Sequence, residues 1–182
     1  MPAETLESSP PADILKQAQE LLLHRKWTCF VKMNERPWKK DAFLPISTNT
    51  NIAEMWQTLN EFGRNKHLAG HINIFFMQDD MLPLAEENVE TWKDGGCWST
   101  IIKGEDWIES MKSIVLTVFG ESVFDESVKG VCVVPVSQTH CIVKIWCTTK
   151  ETSGKAKKPD LLRNIYSECT MPPAVPRYKA FF

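Results

Sequence analysis

Residues 128–148 read Val-Lys-Gly-Val-Cys-Val-Val-Pro-Val-Ser-Gln-Thr-His-Cys-Ile-Val-Lys-Ile-Trp-Cys-Thr. Two β-branched runs, Val128–Val136 and Cys141–Thr148, flank Ser137-Gln138-Thr139-His140, a pattern that predicts an antiparallel hairpin. Upstream, Gly95-Gly96 opens a strand over Cys97–Lys103, and the dense apolar run Ile72–Met77 predicts a strand buried on at least one face. Trp27–Lys32 reads as a further strand, residues 33–37 as a turn, Trp38–Ile46 as a loop leading into a strand, and Val175–Phe182 as the last strand. Helical spacing interrupts these runs. Asn51 with Glu54 forms a capping box, followed by Ile52, Met55, Trp56 and Leu59 on one helix face. Trp107, Ile108, Met111, Ile114, Val115, Val118 and Phe119 mark a second helix, and Pro159 opens a third that runs to about Glu168. Ile14, Leu15, Ala18, Leu21 and Leu22 mark a short amphipathic helix over 12–23, behind an acidic, Pro-rich tail over 1–11. The polar stretch 78–95 reads as a long loop. The sum is one α+β domain over 24–182, with helices packed on one face of an antiparallel sheet.

Composition narrows the function. With 182 residues, 43% of them hydrophobic, and a formal net charge of -2, the chain is neither a disordered segment nor a generally basic nucleic-acid binder. No apolar run approaches the length of a membrane span, and residues 1–11 lack the basic and apolar regions of a secretory signal. The six Cys form no C-x-x-C pair and the four His stand apart from them, so no metal site is expected, and the thiols read as free and buried. No Gly-x-Ser-x-Gly, phosphate-binding Gly-rich loop or His-Glu-x-x-His motif occurs, so neither an enzyme nor a cofactor is predicted. Asp79-Asp80 and Glu86-Glu87 read as solvated loop charge, and hydrolysis by Glu86 and Glu87 would lack a nucleophile.

Seven Trp against two Tyr is the unusual count, because a buried indole N–H needs a partner. Trp38 lies in a polar context, Pro37-Trp38-Lys39-Lys40, and Glu86 in another. An exposed indole face stacks on a base for about 1–3 kcal/mol, and more on a cationic one. A carboxylate beside it can accept hydrogen bonds from the donor edge of guanine. The pair suits a methylated guanine.

In order and spacing, these residues resemble the eukaryotic translation initiation factor 4E family, the messenger-RNA cap-binding proteins. The resemblance rests on Trp27, Trp38, Asn51–Phe62 with Trp56, Gly95-Gly96-Cys97-Trp98, Phe119-Gly120-Glu121-Ser122, Ile145-Trp146-Cys147-Thr148-Thr149, Ile165-Tyr166 and Pro172-Pro173, and it covers about residues 24–180. It implies a curved antiparallel sheet with three helices on its convex back and the 7-methylguanosine cap in its concave front. It assigns Trp38 to stacking, Glu86 to the guanine edge and Trp146 to the methyl group. On the back it assigns Trp56, with Ile52 and Leu116, to a scaffold or repressor protein presenting a helical Tyr-x-x-x-x-Leu-apolar segment. The implied compartment is cytoplasmic, with ribonucleoprotein granules and the nucleus as further settings, and no membrane partner is implied.

Several positions depart from the family pattern. Ala85 stands where the second stacking Trp belongs, and Trp92, in the same loop, is the candidate replacement. Ser137, Thr139, Ile142 and Cys97 stand where basic residues serve the cap phosphates. Lys112 and Ser113 replace an apolar and an acidic residue on the second helix. One lost stacking face and two or three lost phosphate contacts together remove roughly 4 kcal/mol or more, about a thousandfold in affinity. The expectation is therefore weakened cap recognition. The alternative is an interaction module or ribonucleoprotein subunit on the same fold without useful cap affinity.

Overall fold

The computed structural model describes Lys16 and residues 20–65, 70–104, 107–119, 126–149 and 177–182. Seven strands form one antiparallel sheet: β1 (Leu22–Met33), β2 (Leu44–Asn51), β3 (Ile72–Gln78), β4 (Gly96–Lys103), β5 (Val128–Ser137), β6 (His140–Cys147) and β7 (Arg177–Ala180). Their spatial order is β2-β1-β3-β5-β6-β4-β7. The predicted hairpin is β5–β6, closed by Gln138 and Thr139 and paired from Val128↔Cys147 to Ser137↔His140. Irregularities at Cys29/Phe30, Val128/Gly130 and Pro135/Ser137 break the register, and such bulges bend and twist a sheet. The sheet is accordingly curved.

Alternation along the strands splits the buried residues into two cores. On the back, Trp27, Cys29, Ile74, Phe76, Val131, Val133, Val143 and Ile145 pack under two long helices, α1 (Ile52–Arg64) and α3 (Trp107–Phe119). On the front, Phe30, Phe75, Met77, Cys97, Cys132 and Trp146 form a second cluster with Phe43, Leu84 and Trp92. The capping box forms: Asn51 Oδ1 accepts from Glu54 N at 2.9 Å, and the Glu54 carboxylate accepts from Thr50 N at 2.6 Å. That pull from Thr50 N–H holds the Glu54 carboxyl below its ordinary pKa.

Two boundaries differ from the sequence reading. Leu22 and Leu23, expected at the end of the N-terminal helix, belong to β1, where Leu22 sits opposite Asn51. The Leu21 carbonyl meanwhile accepts from Ile52 N at 3.1 Å, satisfying one of the N–H groups that a helix start leaves open. The stretch 78–95 is no open loop. It holds a 3-10 turn, Ala85–Asn88, and a short helix, α2 (Val89–Trp92), because Leu84 and Trp92 are drawn into the front cluster. Most of the N-terminal helix, the third long helix from Pro159 and Cys169 lie outside the described residues.

The Gly95-Gly96 pair serves close approach. A Cβ at Gly95 would stand 2.5 Å from the Cys147 carbonyl oxygen, and one at Gly96 would stand 2.6 Å from Tyr178 Oη. Only glycine lets β4 lie between β6 and β7 here.

Candidate functional site

All seven Trp lie among the described residues, and two of them are exposed: Trp38 at 47% and Trp56 at 39%. They sit on opposite sides of the sheet, Trp38 against the front cluster and Trp56 on a back helix. Trp27, Trp98 and Trp107 are core residues. The Trp107 indole N–H donates to the Gln138 carbonyl at 3.0 Å, tying α3 to the hairpin turn.

At the front, β1 delivers Lys32 and β3 delivers Phe75 to the same face, and the 3-10 turn Lys40–Ala42 brings Phe43 beside them. Trp38 packs edge-on against both rings, with centroids 5.2 Å from Phe43 and 5.8 Å from Phe75. The chain before it is pinned from below. Lys32, 3% exposed, donates from Nζ to the Met33 carbonyl at 3.0 Å and to the Arg36 carbonyl at 2.7 Å. The same ammonium lies 5.2 Å from the Trp38 ring centroid. The indole is thus held by two roughly perpendicular rings and approached by one cation, while nearly half of its surface stays open.

Farther along the front, Trp146 sits opposite Cys97 in the β4–β6 register. Trp92 meets it edge-on at 5.5 Å, and Phe181 lies 4.5 Å from Trp146 and 5.3 Å from Trp92. This corrects the expectation for Trp92. The ring is 0% exposed, wedged between Trp146 and Phe181, and offers no free face to a base. Trp146 itself is 6% exposed, and the indole N–H groups of both residues have no hydrogen-bond partner among the described residues.

Ala85 heads the 3-10 turn, half-buried against the front cluster. Glu86 follows it, exposed and without an ion pair among the described residues. Of the residues at the phosphate positions, Ser137 and Thr139 are engaged locally. Ser137 Oγ lies 2.7 Å from His140 Nδ1 and accepts from Thr139 N at 3.1 Å. Ile142 is half-buried, and Cys97 is buried among apolar groups. Burial raises the Cys97 thiol pKa, an effect that Lys144 and Lys179 partly oppose.

On the back, Met55 and Leu59 take the core side of α1, which turns Trp56 outward one turn after half-buried Ile52. Lys112 reaches across from α3, its Nζ 5.5 Å from the Trp56 ring centroid and 2.8 Å from Glu109 Oε1. Leu116 follows Lys112 by one turn, half-buried. The two helices are also in contact at Gly63, where an added Cβ would meet Ile108 Cγ2 at 3.5 Å.

The sequence reading missed Lys32, Phe43, Phe75 and Phe181. A lone Lys inside an apolar strand was the available signal for Lys32. The others are brought in by pairing between distant segments. No group of three or more His, Cys, Asp and Glu capable of holding a metal occurs among the described residues. Nor is any described helix long and apolar enough to cross a membrane.

The sheet thus carries an aromatic concave face in front and long helices behind, with one open Trp on each side. The chain belongs to the eukaryotic initiation factor 4E family, whose model matches residues 22–172. Among solved structures, eIF4E-3 of Ascaris suum, in complex with m7G cap, shares the fold with a TM-score of 0.67 at 16% identity, over 89% of this chain and 92% of that one. The C. elegans eIF4E-3, in complex with the 4E-binding protein Mextli and cap analog, gives 0.65 at 17% identity, over 88% and 92%. No match was found among proteins of curated function.

Proposed function

We propose that this protein binds the 7-methylguanosine cap of messenger RNA on its concave front and a helical protein segment on its convex back, in the control of translation in the cytoplasm. It performs no catalysis. One observation carries the reading: of seven Trp, the two left open stand one on each face. Burying indole surface is strongly favourable, so an exposed ring suits a ligand better than solvent. Trp38 stacks the base, Glu86 accepts from its N–H edge, and Trp146 lines the floor. Trp56, Ile52 and Leu116 receive apolar side chains from a helix.

Cap recognition on this reading is weaker than a two-Trp sandwich allows, because Ala85 offers no stacking face and Trp92 is buried. Titration with 7-methylguanosine triphosphate, read by Trp fluorescence, tests the front. Quenching that disappears in Trp38→Ala supports it. No quenching at millimolar ligand overturns it, and would leave the protein-interaction module as the function of the fold. Capture of a Tyr-x-x-x-x-Leu-apolar peptide, lost in Trp56→Ala, tests the back.

A further inference from the structure

We infer that Lys144, Arg177 and Lys179 form an anion site on the concave face, beside Trp146, that takes the phosphate chain of the ligand. The inference rests on the cap-binding reading above and names the chemistry of its charged half.

Residues directly opposite in antiparallel strands point to the same side of the sheet. Cys97 and Trp146 both belong to the front cluster, and Cys97 also pairs with Lys179 across β4–β7. One row of the front face therefore reads Trp146, Cys97, Lys179. The next row reads Cys132, Lys144, Ser99, Arg177, from the β5–β6, β4–β6 and β4–β7 registers. Tyr178, between the two β7 cations, points the other way and packs on Trp98 in the back core. Phe181 returns to the front.

Neighbouring strands are about 4.8 Å apart and alternate residues about 7 Å apart. The three cations thus occupy a patch on the order of 10 Å across, about the extent of a short polyphosphate. Lys144 is half-buried, while Arg177 and Lys179 are exposed.

Among the described residues these charges are unspent. The ion pairs of the described residues join Arg25 to Asp79, Lys26 to Asp80, Arg64 to Glu61, Lys93 to Glu90 and Lys112 to Glu109, and none involves the three. The rows themselves hold no carboxylate. In a chain with a net charge of -2, three cations sharing one face, with no ion pair among the described residues, are a local concentration rather than a general basic character. None stands at Cys97, Ser137, Thr139 or Ile142, where the family pattern places its basic residues. The charge lost at those positions reappears on adjacent positions of the same face, where Lys and Arg can donate charge-assisted hydrogen bonds to phosphate oxygens.

The test compares the whole protein with a Lys144→Met/Arg177→Gln/Lys179→Gln variant. A Lys179→Glu variant, altered at an exposed edge position, guards against a folding defect, and Lys144→Arg/Arg177→Lys keeps the charge. Each is titrated with 7-methylguanosine, its monophosphate and its triphosphate by Trp fluorescence, and with tripolyphosphate by calorimetry. For the unaltered protein the expected result is affinity rising tenfold or more from nucleoside to triphosphate, with the gain abolished in high salt. The triple variant and Lys179→Glu should lose most of that gain and bind the nucleoside within twofold, and the charge-retaining variant should keep it. A triple variant that retains the full gain overturns the proposal. So does an unaltered protein that gains nothing from phosphate and binds tripolyphosphate no better than the variant. Failure of the cap reading has a different signature: no response to the nucleoside, with tripolyphosphate still bound through these three residues.

Discussion

Trp38 and Trp56 face opposite ways, yet each has a buried Lys over its ring. Lys32 lies 5.2 Å from the Trp38 centroid and Lys112 lies 5.5 Å from that of Trp56. The difference is in what holds the cation. Lys112 is bound to Glu109, so the back site carries a compensated pair. Lys32 is bound to two main-chain carbonyls, and its charge is not cancelled by any ion pair among the described residues. The back therefore presents an aromatic face in a locally neutral setting, suited to apolar side chains. The front presents an aromatic face whose support is charged, and whose positioning depends on that charge staying in place.

The largest effects should come from the rings themselves. Trp38→Ala should weaken cap-analogue binding by about 1–3 kcal/mol in fluorescence or calorimetric titration, with peptide capture unchanged. Trp56→Ala should do the reverse, costing about 2 kcal/mol or more of peptide affinity, as central aromatic contacts do. Loss of both activities in either variant would break the division of labour. Next comes Lys32→Met, which leaves the Met33 and Arg36 carbonyls without their donor. It should lower stability by about 1–3 kcal/mol in denaturant unfolding and loosen Trp38.

Ala85→Trp should strengthen cap-analogue binding by about 1–3 kcal/mol if position 85 faces the stacked base. An unchanged affinity would show that the 3-10 turn aims it elsewhere. Lys112→Met should cost less than about 1 kcal/mol, because Glu109 is 67% exposed and regains water. The smallest effect is on pH. Glu54 has a lowered carboxyl pKa in the folded state, so its contribution to the start of α1 is fully present above the unfolded carboxyl range. It is lost as pH falls through the folded value. Acid unfolding of Glu54→Gln should therefore show a shallower fall in stability below about pH 4.5.

What the sequence revealed was local. The Asn51–Glu54 cap and the Ser137–His140 turn lie within a few residues of their partners, and both appear in the structure. The start of β1 was obscured because Leu21 and Leu22 continue a helical spacing and Leu23 follows them. Pairing with Asn51, nearly thirty residues away, draws the last two into the sheet. The exposure of Trp56 contradicts its apolar periodicity and was legible through family resemblance alone. Trp92 looked free because its neighbours are polar, but its burial comes from Trp146 and Phe181, supplied by β6 and by the residue after β7. The basic rows were hidden for the same reason, since Lys144 and Lys179 meet only through the register of β4 with both its neighbours.

The buried thiols give this molecule an internal clock. Cys29, Cys97, Cys132, Cys141 and Cys147 are buried and form no disulfide among the described residues, and they are spread over β1, β4, β5 and β6 and over both cores. Burial pushes the Cys132 thiol up to about 12 and raises that of Cys29 well above its ordinary value. In the folded state such groups hold almost no thiolate and are shielded from alkylating reagents. Each is therefore modified only when its own strand opens, and mass-resolved alkylation reads the opening of each strand separately. Cys97 shares the concave cluster with Trp146, so its rate reports occupancy of that face as well. A ligand seated there should slow Cys97 selectively and leave Cys29 and Cys141, on the other side of the sheet, at their own pace.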